Sequence, residues 1–194
     1  NLFFLLGVLN TKVADYVFKI LNPTIHLKPG YFGLFPVLKK DCFNDGLVKS
    51  CLHITQKDWN AFENSWDFTH HPLLTHIADD KQNDVDGKLK NAFNLWQDEA
   101  QNRFDQLKAN EEELNHIFID LYGLNDELTP DVADKDVSVR LANEERDIKS
   151  FLSYFVGVVF GRYSLDVEGL AYAGGDWDKG KYQSFLPNKD NILM

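Results

Sequence analysis

Cysteine is scarce in this sequence: Cys42 and Cys51 are the only two in 194 residues, nine positions apart. No C-x-x-C pair occurs, which argues against a zinc ribbon or a disulfide framework and reads as two free, reduced thiols in a cytoplasmic protein. Long apolar runs are missing as well. The opening stretch NLFFLLGVL ends at Asn10, Thr11 and Lys12, far short of the roughly 20 apolar residues that a membrane span requires. It has no basic leader and no small-residue cleavage site, so it does not read as a secretory signal. The chain also lacks an initiating Met, as expected of a piece of something larger. Positive charge is the third shortage: 20 Lys and Arg stand against 30 Asp and Glu, a net charge of −10. Nucleic-acid affinity comes largely from Lys and Arg neutralising phosphates, so most of this surface is a poor match for DNA.

What is present is apolar and aromatic. A 44% apolar fraction with fifteen Phe and four Trp is that of a chain that folds, and the length suffices for one core or one domain with an elongated appendage. The charge is uneven: residues 1–40 carry five Lys and one Asp, a net +4 that leaves −14 for the remainder. If DNA is touched, Lys28, Tyr31, Lys39 and Lys40 in this one basic segment are the candidate contacts.

Periodicity gives a mainly α fold of long antiparallel helices, with a small β-hairpin-like element near the N-terminal end. Leu6, Leu9, Val13, Val17 and Ile20 recur every three or four residues, which predicts one helix from Leu2 to Leu21, ended by Pro23. TIHL and YFGLFPVL read as short strands joined at Pro29-Gly30, the second held to a sheet edge by Pro36. DGLVKSCLHI reads as a short helix, Thr55 as the cap of a second, and the His-rich stretch around Pro72 as a loop. Leu89, Phe93, Trp96, Ala100, Phe104, Leu107, Leu114, Phe118 and Leu121 then form a ladder that only Glu111 interrupts. This predicts one helix from about Asp84 to Tyr122, capped by Gly123 and Leu124 in a Schellman arrangement. Thr129-Pro130 reads as the start of a short helical turn. A last helix is expected from about Ser138 to Tyr163, with Ile148, Phe151, Leu152, Phe155, Val159 and Phe160 inward and a Gly-rich aromatic loop after it. The organisation expected is 1–40 as the end of a recognition-like region, 41–83 as a connector and 84–194 as a long-helix scaffold.

No catalytic, cofactor or metal constellation emerges. Adenine amino-methyltransferases grip a flipped base with Asn (or Asp)-Pro-Pro-aromatic, whereas Asn22-Pro23 is followed by Thr24 and Ile25, and no Phe-x-Gly-x-Gly turn occurs. That pair reads as a helix end and strand start. His70, His71 and His76 near Asp79 and Asp80 lack the H-x-x-x-H spacing of a helical metal site. Glu111, Glu112 and Glu113 are consecutive and fan around a helix, so they read as a solvated face. Gly157 and Gly161 read as close packing against the long helix, and Arg162 with Asp166 as ties between the last helix and the loop.

LLGVLNTKVADYVFKILNPTIHLKPGYFGLFPV resembles the stretch of large adenine-specific DNA methyltransferases where a target-recognition region ends. EEELNHIFIDLYGLNDELTPDV resembles the helix that follows in fused restriction-modification enzymes. ERDIKSFLSYFVGVVFGRYSLDVEGLAYAGG and LPNKDNIL are narrower matches, to the methyltransferase of BREX-type phage-resistance systems, and the similarity covers nearly the whole chain. The resemblance implies a parent enzyme that transfers methyl from S-adenosylmethionine to adenine N6 in duplex DNA, with other defence-system subunits as partners. Its cofactor and catalytic motifs lie upstream, so no catalytic residue carries over and no cofactor is expected in this segment. Members usually read Gly-Asp-Ile where this chain has Gly30-Tyr31-Phe32, so the role of that Asp does not transfer.

Overall fold

A computed structural model of the protein describes residues 2–22, 24, 26, 28–38, 43–79 and 85–187. Among them are seven α-helices: α1 (Leu2–Leu9), α2 (Lys12–Leu21), α3 (Pro29–Phe32), α4 (Asp45–Asn60), α5 (Pro72–Asp79), α6 (Val85–Tyr122) and α7 (Glu144–Val159). They form two compact units, one of residues 1–55 and 103–139, the other of 56–102 and 140–194. The dividing points fall inside α4 and α6, so each unit holds a portion of both helices.

The expected β-hairpin is not seen: the described residues contain no strand, only an isolated bridge between Tyr163 and Leu170. Pro29 instead opens the single turn of α3, with Gly33 N–H donating to the Pro29 carbonyl at 3.1 Å. A proline suits the first helical position because its missing N–H would be unpaired there anyway. The extended stretch that follows docks through a side chain: Tyr122 Oη donates to the Pro36 carbonyl at 2.7 Å and accepts from Leu38 N–H at 3.4 Å. Ile25, Leu27 and Pro23 lie outside the described residues.

The single N-terminal helix expected is broken in two. Asn10 Nδ2 donates to the Leu6 carbonyl at 2.8 Å and Thr11 Oγ1 to the Val8 carbonyl at 2.7 Å. These side chains compete with the backbone for the last carbonyls of α1, as short polar side chains do. Thr55 likewise fails as a cap; its hydroxyl bonds back to the Cys51 and Leu52 carbonyls at 3.0 and 3.1 Å, and α4 continues through it. The loop expected around Pro72 is α5. Pro72 takes the first helical position, and the buried ring of His71 caps the turn, its Nδ1 accepting from Leu73 N–H at 3.3 Å.

The long helix matches its ladder. α6 has 38 residues, about 57 Å at 1.5 Å per residue. Gly123, at φ 66°, donates to the Asp120 carbonyl and Leu124 N–H to the Ile119 carbonyl at 3.0 Å, the expected Schellman pair. No helix starts at Thr129-Pro130; a single 3₁₀ turn forms later, at Asp134–Asp136. α7 starts at Glu144, six residues after the expected position, because Asn143 is its N-cap and accepts from Arg146 N–H at 2.9 Å.

Among the described residues the first unit has two apolar clusters, one around Val8, Val13 and Phe118 and one around Ile54, Leu107 and Val137. The second has one around Leu73, Ala92 and Trp96 and one around Phe68, Tyr154 and Tyr163. On α7 the inward face carries Tyr154 and Val158, whereas the expected core residues Leu152 and Phe155 are 55% and 53% exposed. Gly157 packs closely as expected, but its neighbour is the Tyr163 ring, with which an added Cβ would collide at 2.6 Å.

Candidate functional site

Of the four candidate DNA contacts, Lys39 and Lys40 lie outside the described residues. Lys28 is the N-cap of α3 and Tyr31 lies within it, both exposed. Their surroundings are apolar, with Phe32, Leu34 and Val37 exposed beside them, Leu34 by 63%. The other basic residues of the segment do not join them. Lys19 pairs with Asp15 at 2.6 Å one turn away on α2, and Lys12 is half-buried at the start of α2. Asn22 is buried and committed locally: Nδ2 donates to the Thr24 and His26 carbonyls at 3.3 and 3.0 Å, and Oδ1 accepts from Thr24 Oγ1 at 2.6 Å. With both ends of its amide occupied it closes its own turn, the structural role expected for the helix end.

The three histidines take separate tasks. His70 Nε2 sits 2.8 Å from Thr75 Oγ1, and His76 Nε2 lies 3.3 Å from Glu99 Oε2. His71 is 2% exposed, packed against the rings of Phe151 and Tyr154; burial pulls its imidazole down to about 4, against a smaller opposing pull from Asp147. Among the described residues no three His, Cys, Asp or Glu side chains converge to hold a metal ion.

The glutamates also diverge, though not onto one solvated face. Glu113 is exposed, and Glu112 Oε1 accepts from Val132 N–H at 3.0 Å, tying the segment after α6 back onto the helix. Glu111 is half-buried and lines a cleft of about 680 Å³ in the first unit. Leu6, Val48, Leu107, Leu114 and Val132 give the cleft its apolar wall; Lys12, Asp15, Cys51, Thr55, Asn115 and Asp136 add polar groups. Burial pushes the Glu111 carboxyl up. Burial, then the neighbouring Glu111 charge, pushes the Cys51 thiol up to about 11, so it is a poor nucleophile near neutrality. Asn115 has both ends of its amide engaged, Oδ1 accepting from Lys12 N–H at 2.9 Å and Nδ2 donating to the Pro130 carbonyl at 3.0 Å.

A polar node in the second unit escaped sequence reasoning. Asp147 on α7 is 1% exposed; Oδ2 accepts from Trp96 Nε1 at 2.9 Å and from Asn143 N–H at 2.9 Å, and Oδ1 accepts from Arg146 Nε at 2.6 Å. Asp58 does similar work, buried and accepting from Arg140 N–H at 3.3 Å and Nε at 3.4 Å, while the guanidinium lies 3.9 Å from the Phe62 ring centre. Asp166, expected to tie the last helix to the loop, instead joins two parts of the loop itself, accepting from Gln183 and Ser184 N–H groups at 2.7 and 2.9 Å. The signal for Asp147 was available: it stands four residues after an Asn that can cap and near one turn of apolar residues, where a solvated Asp has no reason to lie inward.

Two curated proteins match the chain along its whole length. One is the adenine-specific methyltransferase PglX of Lacticaseibacillus casei (strain Zhang), 53% identical over 195 residues that make up 16% of that protein. The other is the adenine-specific methyltransferase BrxX of Escherichia coli O9:H4 (strain HS), 27% identical over 216 residues, or 17% of its length. The chain thus spans about a sixth of the relatives it matches. No family model matches it.

Proposed function

We propose, from the premise that this chain is homologous end to end to one segment of the BREX-type adenine-specific methyltransferases, that it is a non-catalytic helical scaffold within such an enzyme. The parent protein transfers methyl from S-adenosylmethionine to adenine N6 in duplex DNA, in the cytoplasm, and this segment holds neighbouring parts of it at a set distance. The match to PglX along the whole of this chain, 16% of that protein, supports the methyltransferase part of the reading. The scaffold part is supported by the absence of Asn-Pro-Pro-aromatic and Phe-x-Gly-x-Gly from the sequence, by the local commitment of Asn22 and by the 38-residue α6. In this reading α6 lies antiparallel to a partner helix, and residues 84–194 are the scaffold proper.

A second reading has the segment present a face to another defence-complex subunit without contacting DNA. The exposed Phe32, Leu34 and Val37 beside Lys28 favour it, since interface cores are apolar and poor in lysine. Methyl transfer from labelled S-adenosylmethionine to adenine-containing duplex, measured on the isolated chain, tests the first reading; activity above a no-protein control would overturn it. Gel shifts at two salt concentrations, with Lys28, Lys39 and Lys40 changed to Glu, separate the two. Salt-sensitive binding lost in the triple variant supports a DNA-associated scaffold, and no binding at low salt supports the subunit face.

A further inference from the structure

α7 has two apolar faces, and only one of them is covered. Tyr154 and Val158 are buried, whereas Leu152, Phe155, Val156 and Phe160 remain 38% exposed or more. Their spacings of three, one and four residues put them on one side of a helix. The stripe ends beside Gly161, where Trp177 and Pro187 close in so tightly that an added Cβ would meet them at 2.8 and 2.9 Å. Trp177 is fixed there by a second ring: its indole stacks on the buried Tyr182 at 4.5 Å and 5°, and Tyr182 Oη donates to the Gly161 carbonyl at 2.5 Å. The indole is nevertheless 45% exposed. An apolar helix stripe next to a fixed tryptophan, both left in water, is a surface of the kind that a protein partner covers.

Charge and length choose the occupant. The chain carries a net charge of −10, so a second copy of it would be repelled. Among the exposed charges from Gly161 to Tyr182, four carboxylates (Asp166, Glu168, Asp176 and Asp178) stand against two cations (Arg162 and Lys179). That acidic rim disfavours nucleic acid and is complementary to a basic protein surface. The chain also spans about a sixth of the relatives it matches. An enzyme that works on duplex DNA needs Lys and Arg against phosphate, and an acidic sixth leaves that positive charge to the remainder; this step rests on the function proposed above. We propose that the exposed stripe of α7, with Trp177, is an intramolecular docking face, covered in the full-length methyltransferase by an apolar segment flanked by Lys or Arg from another part of the same polypeptide.

The test is hydroxyl-radical footprinting read by peptide-resolved mass spectrometry, run on the 194-residue chain alone and on the full-length methyltransferase that contains it. Phe155, Phe160 and Trp177 are expected to oxidise several-fold more slowly in the full-length protein, because an interface core excludes water. In the chain alone they should oxidise fast, at rates that do not change with protein concentration. Phe155→Asp with Phe160→Asp should restore fast oxidation of Trp177 in the full-length protein. Glu168→Lys with Asp176→Lys, which leaves the packed rings untouched, should restore it in part. Equal rates in the two proteins, protection already present in the chain alone or growing with its concentration, or Trp177 still protected in both folded double variants would each overturn the proposal. Methyl transfer by the chain alone would sink the scaffold reading instead, and would leave these footprints as they stand.

Discussion

Replacing Asp147 by Ala should be among the most damaging single changes in the second unit, because three donors converge on a side chain that is only 1% exposed. Those donors differ in how easily they find water. Trp96 Nε1 belongs to a buried residue in the Leu73–Ala92 core, so it loses the Asp147 acceptor in a place water does not reach, at a cost of about 1–3 kcal/mol. Asn143 N–H is the other half of a capping arrangement in which Asn143 also accepts from Arg146 N–H; its loss is worth about 1 kcal/mol. Arg146 is partly exposed and re-solvates, so little is added there. The total is about 2–4 kcal/mol. For a chain of this size each kcal/mol moves the midpoint by roughly 2–4 °C, so a fall of about 5–15 °C is expected in near-ultraviolet circular dichroism.

The conservative variants sharpen the expectation. In Asp147→Asn the amide oxygen can take the place of Oδ2 and keep both buried donors satisfied, leaving the amide nitrogen toward the partly exposed Arg146. It should cost roughly 1 kcal/mol, within the range of one ordinary hydrogen bond. Trp96→Phe removes the donor and leaves the carboxylate two others. The double variant Trp96→Phe with Asp147→Ala should therefore be less damaging than the two costs added together, by about 0.5–3 kcal/mol of coupling. A midpoint for Asp147→Ala within 2 °C of the parent, or strict additivity in the double variant, would refute the claim that this contact is a buried, mutually dependent pair.

Other expectations follow from single contacts. His71 has an imidazole lowered to about 4 in the folded state against about 6.5 unfolded. The unfolded chain thus binds more protons between those values, and stability is full above pH 6.5 and falls as pH drops toward 4, by up to about 3 kcal/mol. His71→Phe should flatten that part of a stability-versus-pH curve measured by urea denaturation. Gly157→Ala drives a methyl to within 2.6 Å of the buried Tyr163 ring, and an overpacking cost of about 1–3 kcal/mol should appear as an earlier urea midpoint. Cys51, whose thiol burial and then Glu111 push up to about 11, should alkylate slowly at pH 8, and Glu111→Gln should speed that reaction in a peptide-resolved mass-spectrometric time course.

What the sequence made legible divides along a physical line. Periodic apolar spacing over many turns is a strong signal, so α6 was readable to within a residue at its start and at its Schellman end. Short elements were misread where one polar side chain decided the outcome. Asn10 and Thr11 break a helix whose apolar spacing runs straight through them, and Asn143 starts α7 six residues after the periodicity does. Pro29 and Pro72 read as turn and breaker residues, yet each opens a helix, since the local sequence cannot say whether a preceding residue will supply the cap. YFGLFPVL has strand-like composition, but a strand needs a second one beside it, and here Tyr122, distant in sequence, meets the backbone instead.

The inward face of α7 shows the same limit in a form that bears on function. Leu152, Phe155 and Phe160 are as apolar as Tyr154 and Val158, so hydropathy alone could not choose between two faces of one helix; Asp147 and Gly157 choose, because a buried acceptor and a missing Cβ fit only the side facing Trp96 and Tyr163. The residues left outside, with Leu165 and Leu170, remain exposed. Glu111 is the converse case. It is the one polar residue at a position of the apolar ladder and stays half-buried between the buried Leu107 and Leu114, whereas the polar side chains that α6 does bury, Arg103, Asn110 and Asn115, stand off the ladder.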